Sequence, residues 1–154
     1  MYKTILVPLD GSKLAECVLP HVEALSKGCQ VKNVVFVRAV EPFDQLVAGE
    51  YIPRPEEIDR INARMISEAE NYLKQLLHGL EYDGVDLRWK VIQGRAAEAL
   101  AAYAAKEGAN LIIIATHGRS GVSRWIWGSV ADRILRSSCV PVLMVKAAGC
   151  VPGV

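Results

Sequence analysis

The sequence has no uninterrupted apolar run approaching the roughly 20 residues of a membrane-spanning helix. Its opening, MYKTILVPLD, has neither the long apolar segment nor the small-residue cleavage site of a secretory signal. A basic excess is missing too: 18 Lys and Arg stand against 17 Asp and Glu, a net charge of +1. Nucleic acid and anionic membranes both draw proteins with a clear positive surplus, so neither is an expected partner. Cysteine is sparse. Cys17, Cys29, Cys139 and Cys150 form no CxxC pair and are too few to staple a chain of 154 residues, which points to reduced thiols and a cytoplasmic setting. His21, His78 and His117 show no metal-ligand spacing with carboxylates or cysteines.

What is present is alternation. At 51% apolar and 23% charged, the chain suits one globular domain over residues 1–154, with 147–154 as a flexible tail. TILVPL (4–9) reads as a strand ending at the turn signal Asp10-Gly11-Ser12. Ala15, Val18, Leu19, Val22 and Leu25 then recur at helical spacing, and Gly28 closes that helix. VVFVRAV (34–40) is a second strand. Residues 41–53 read as a loop bounded by Pro42 and Pro53. Pro55 can open the long helix that follows, because the first turn does not need its missing N–H. Ile58, Ile61, Met65, Ala69, Tyr72, Leu73 and Leu76 form that helix's apolar stripe, and Gly79 ends it. VDLRWKVI (85–92) alternates apolar with polar, as a half-exposed edge strand does. Alanine-rich 96–106 is helical, NLIIIAT (110–116) is an apolar central strand, a last helix spans about 128–137, and VPVLMV (140–145) is strand five. Pro141 cannot donate to a ladder and puts strand five at an edge.

Strands that alternate with helices imply a parallel sheet with right-handed crossovers. The expected fold is therefore α/β: a Rossmann-like three-layer sandwich whose five-stranded parallel sheet has order 3-2-1-4-5, with helices on both faces. In that order the winding reverses between strands one and four, and ligands bind at the carboxyl ends of the strands there. Asp10 and the segment THGRSGVSRWIWGS (116–129) sit at those two ends.

That segment has the composition of an anion-binding loop. Gly118 and Gly121 permit close backbone approach, and Gly128-Ser129 falls where the last helix should begin, with unpaired N–H groups ready for phosphate oxygens. Ser120, Ser129, Arg119 and Arg124 are candidate side-chain partners, Asp10 a candidate acceptor for ribose hydroxyls, and Ala39 or Val40 an apolar wall for a base. Each has a plainer use. Ser129 also suits a helix cap, Asp10 a turn, the arginines a solvated surface, and His117 packing over the loop. There is no GxxxxGK[ST], which excludes a P-loop phosphotransferase, and no GxGxxG after strand one. Strand three ends in Gln93-Gly94-Arg95 without an Asp, which excludes a phosphorylated receiver despite Lys146.

Four segments together, ILVPLDGS, VIQGRAAEAL, LIIIATHGRSGVSRWIWGSVADRIL and CVPVLMVK, resemble the universal stress proteins across residues 2–146. ATP-binding members of that family carry G-x2-G-x9-G-[S/T]; here Gly118, nine residues and Gly128-Ser129 match it, and Ala115 replaces the first glycine. The resemblance implies that Pro8, Leu9, Asp10 and Ala39 flank an adenosine and that Ile114 and Ala115 lie beside the ribose. By the same resemblance Gly118, Arg119, Gly128, Ser129 and Val130 line the phosphates. It also implies a homodimer through strand five, Val140 to Val145. The functional expectation is non-catalytic binding of ATP or AMP, with or without Mg²⁺, by a stress-response regulator, with no catalytic or metal-ligating residue assigned. The alternative is a nucleotide-free dimeric scaffold, kept open by Ala115 and the loop from Phe43 to Tyr51. Slow ATP hydrolysis ranks third, since His117 and Asp10 are the only candidate bases near the loop.

Overall fold

The computed structural model describes residues 2–43, 53–116 and 129–147, with the side chain of Ser129 outside that set. Five strands run parallel in the order β3-β2-β1-β4-β5. They are β1 (Thr4–Pro8), β2 (Asn33–Val40), β3 (Asp86–Gln93), β4 (Leu111–Thr116) and β5 (Val142–Lys146). The helices are α1 (Leu19–Gly28), α2 (Pro55–His78), α3 (Ala96–Lys106) and α4 (Ser129–Ser137).

The sheet order follows from the apolar content of each strand. β1 has neighbours on both edges and helices on both faces, so Ile5, Leu6 and Val7 are fully buried, as are Ile112 and Ile113 of β4 beside it. Each such side chain contributes roughly 1.5–3 kcal/mol over leaving it in water. β3 lies at the edge, where its residues alternate between exposed and half-buried. Side-chain alternation then sorts the core into two layers. Ile5, Val7, Phe36 and Ile113 pack with Val18, Val22 and Leu73 under α1 and α2. Leu6, Val37, Ile112 and Ile114 pack with Leu100, Ala104 and Ile134 under α3 and α4.

Three boundaries differ from the sequence expectation. The first helix opens as a 3-10 turn, Ala15–Val18, before α1. Pro20 is the cause: a continuous α-helix needs its N–H and would set its ring against the Glu16 carbonyl. The Leu19 N–H takes that carbonyl instead. Strand five begins at Val142, two residues after Val140, although the Pro141 carbonyl still accepts from the Ile112 N–H at 2.9 Å. Ala147, assigned to the flexible tail, is 6% exposed and donates its N–H to the Thr116 carbonyl at 3.3 Å. The remainder of that tail and residues 44–52 of the loop lie outside the described residues. Pro55 occupies the first turn of α2 as expected, and the Glu57 carboxylate accepts the Arg54 N–H at 3.2 Å.

Candidate functional site

The β1–β2 ladder runs from Thr4↔Asn33 to Pro8↔Val37, but β1 pairs with β4 only at Ile5↔Leu111 and Leu6↔Ile112. Proline explains the early end. The Leu9 N–H donates to the Val37 carbonyl at 2.9 Å, so Leu9 faces β2 and its neighbour Pro8 faces β4. The next rung between β1 and β4 would need an N–H from Pro8, which has none. The strands part there.

Opposite crossovers widen the gap. The chain leaves β1 toward α1 on one face, and α4 packs against the other face after β4. The resulting cleft has a volume of about 250 Å³. Pro8, Leu9 and Asp10 form one wall, Ile114 and Ala115 the facing wall, and Ala39 of β2 the back. Leu14 and Ala15 come from the first turn, Ala96 and Leu100 from the start of α3, and Val130 and Ala131 from the start of α4. Small and aliphatic residues dominate, with Asp10 as the carboxylate among them, a common composition for a small-molecule site.

Asp10 is exposed and held. Its Oδ1 accepts the Ser12 N–H at 2.8 Å, while the Ser12 hydroxyl accepts the Ala15 N–H at 3.1 Å and so starts the 3-10 turn. Gly11 between them has φ +88°, a conformation that side-chain-bearing residues rarely adopt. Behind the turn stands Tyr72 of α2. Its phenol is raised well above the usual range, first by burial and then by the Glu16 carboxylate, which accepts its hydroxyl at 3.2 Å. Across the cleft, the Gly94 N–H donates to the Val40 carbonyl at 3.0 Å and directs the chain into α3. Among the described residues no group of three or more His, Cys, Asp and Glu stands where it would hold a metal ion.

Of the residues singled out in the sequence, Pro8, Leu9, Asp10, Ala39, Ile114, Ala115 and Val130 meet at this one cleft. Val40 does not line it: the residue is 7% exposed, and the cleft wall belongs to Ala39. Ser129 opens α4. His117, Gly118, Arg119, Ser120, Gly121, Arg124 and Gly128 lie outside the described residues. Sequence reasoning missed Leu14, Ala15, Ala96, Leu100 and Ala131 as lining. For α3 the signal was legible: Gly94 ends β3 and is followed by Ala96 and Ala97, so small residues open the helix at the carboxyl edge of the sheet.

Parallel sheet, reversed winding and a cleft at the reversal define a doubly wound α/β protein with a crevice between its first and fourth strands. The chain belongs to the universal stress protein family, whose model matches residues 1–146. It is 30% identical to the universal stress protein MJ0577 of Methanocaldococcus jannaschii, over 95% of this chain and 96% of that relative. The solved structure of MJ0577 superposes with a TM-score of 0.79, covering 97% of this chain and 99% of that one. Two more distant structures share the fold. A universal stress protein in complex with cAMP has a TM-score of 0.59 at 20% identity, covering 96% of this chain and 98% of that one. An Arabidopsis thaliana member with AMP bound has a TM-score of 0.61 at 11% identity, covering 96% and 93%. Among the described residues no helix is long and apolar enough to cross a membrane.

Proposed function

We propose that the protein binds an adenine nucleotide, ATP or AMP, in the cleft between β1 and β4, without turning it over, and acts as a regulator in stress response. The observation that carries this reading is the meeting of Pro8, Leu9, Asp10, Ala39, Ile114, Ala115 and Val130 at one crevice. The relatives in complex with cAMP and with AMP bound support it as examples of adenine nucleotides bound by members of the family.

The chemistry divides by wall. Ala39, Leu100 and Ile114 offer apolar surface to a flat base, and the absence of bulk at Ala39 and Ala115 leaves room for it. Asp10, already oriented by the Ser12 N–H, accepts from ribose hydroxyls. Phosphates extend toward the N-terminus of α4, where Ser129 and Val130 present N–H groups with no partner inside the helix. The helix dipole adds only about 0.3–1 kcal/mol, so direct bonds must supply most of the phosphate affinity. In this reading Gly118, Arg119 and Gly128 complete the phosphate side, on the strength of the sequence motif. Mg²⁺ would sit on the phosphates with few protein ligands, as that ion commonly does.

The protein is further read as a homodimer through the outer edge of β5. Apolar side chains on an unpaired edge favour covering by a second copy. Nucleotide-free protein titrated calorimetrically with AMP, and with ATP plus Mg²⁺, tests the central reading; no heat at millimolar ligand overturns it in favour of the scaffold. Mass spectrometry of whatever small molecule leaves the freshly purified protein on gentle denaturation is the direct complement.

A further inference from the structure

Arg38 is the only charged residue in β2, whose sequence is NVVFVRAV. The next residue, Ala39, lines the cleft, so strand alternation sends Arg38 to the opposite face, toward α1 and α2. There its guanidinium carbon lies 5.5 Å from the centroid of the Tyr72 ring, within cation–π range. The same guanidinium lies broadside behind Gly11. A Cβ built on that glycine would come 2.9 Å from Nη1, 3.1 Å from Cζ and 3.3 Å from Nη2. The ring beneath is itself tied: the Tyr72 hydroxyl donates to Glu16 Oε1 at 3.2 Å, and Glu16 Oε2 accepts from Lys13 Nζ at 2.8 Å. A planar cation is thus held between a fixed ring and the glycine of the turn that carries Asp10.

We propose that Arg38 is a positioning residue: clamped on Tyr72, it backs the Asp10-Gly11-Ser12 turn and holds the Asp10 carboxylate at the mouth of the cleft. Its consequence for binding rests on the nucleotide reading above; its consequence for the turn rests only on the contacts with Gly11 and Tyr72. The planar shape matters as much as the charge. A lysine at this position keeps the charge but presents a compact ammonium, which cannot lie flat against Gly11 and stack on the ring together. This gives the role a signature that general destabilisation lacks.

The test compares wild type with Arg38→Ala, Arg38→Lys and Tyr72→Leu. NMR amide exchange at Ser12 in nucleotide-free protein is measured alongside the dissociation constant for AMP, with thermal melting confirming that each variant is folded. Arg38→Ala and Arg38→Lys are both expected to exchange Ser12 about tenfold faster and to bind AMP about tenfold more weakly. Tyr72→Leu removes the platform and should reproduce both effects; it carries the test if Arg38→Ala fails to fold. Wild-type exchange at Ser12 in Arg38→Lys and Tyr72→Leu overturns the inference, whatever the nucleotide does. Faster exchange with unchanged AMP affinity overturns its binding half. A wild type that binds no nucleotide sinks the functional reading and leaves the exchange measurement to decide the role of Arg38.

Discussion

Replacing Ala39 by Leu puts an isobutyl group where the back wall of the cleft has a methyl, and leaves the backbone ladder between β2 and β3 untouched. Fully buried, the added carbons would contribute about 2.4 kcal/mol at about 0.8 kcal/mol each. The cleft is open on one side, so roughly half of that is realised, and ordering the new side chain costs roughly 0.5–1 kcal/mol. The balance is roughly 0.2–0.7 kcal/mol in favour of the folded state. For a chain of this size the melting temperature then moves by under about 3 °C. Binding responds quite differently. The leucine takes up part of a volume of only about 250 Å³, opposite Ile114 and Ala115, where the nucleoside is proposed to lie. A loss of at least about 100-fold in AMP affinity is expected, equal to about 2.8 kcal/mol. Calorimetric titration and a melting curve on the same preparation read the two effects separately. A folded Ala39→Leu protein that binds within about threefold of wild type refutes the placement of the ligand. A fall in melting temperature beyond about 5 °C refutes the geometry instead, because it would mean that Ala39 faces packed core.

Tyr82 is buried, donates its hydroxyl to the Leu19 carbonyl at 3.4 Å, and has its phenol pushed up to about 12, first by burial and then by Glu23. A group whose folded value is raised stabilises fully below its unfolded value of about 10, and that stability is lost as pH climbs from about 10 through about 12. Tyr82→Phe should therefore flatten the decline in stability between pH 9 and pH 11, read by urea titration at each, by up to about 1.3 kcal/mol, and an unchanged decline would contradict it. Ala115→Gly restores the first glycine of the family motif; it is expected to tighten AMP binding a few-fold while costing roughly 0.5–1 kcal/mol of stability, read by calorimetry and denaturant melts. Ala147 and Ile112 donate to the carbonyls of Thr116 and Pro141, which places 141, 143, 145 and 147 toward β4 and leaves the Met144 N–H on the open edge. Met144→Pro should leave the β4–β5 ladder intact yet yield a monomer by light scattering, and a persistent dimer would move the interface elsewhere.

The legible part of the fold was whatever depends on a residue's neighbours along the chain. Uniform apolar content in TILVP and LIIIAT marked two strands buried on both faces, and the alternation of DLRWKVIQ marked an edge. The order 3-2-1-4-5 followed from those patterns together with the handedness of crossovers. Pro20 shows where such reading falls short. Its position inside a periodic apolar stretch was visible, yet splitting the stretch into a 3-10 turn and α1 depended on which carbonyl the Leu19 N–H would take.

The sequence by itself determined the strands, the central pair and the end of the sheet at which the cleft opens, because composition and period set the strands and their order sets the reversal. Only the tertiary structure decided that Pro8 faces β4 and ends that ladder, that Ala39 rather than Val40 walls the cleft, and that the start of α3 lines it. It also decided that Arg38 reaches behind Gly11 to rest on Tyr72, a residue 34 positions further along the chain. These are facts of which side a group faces and what stands opposite. Parity and long-range packing set them, and no local pattern encodes the partner.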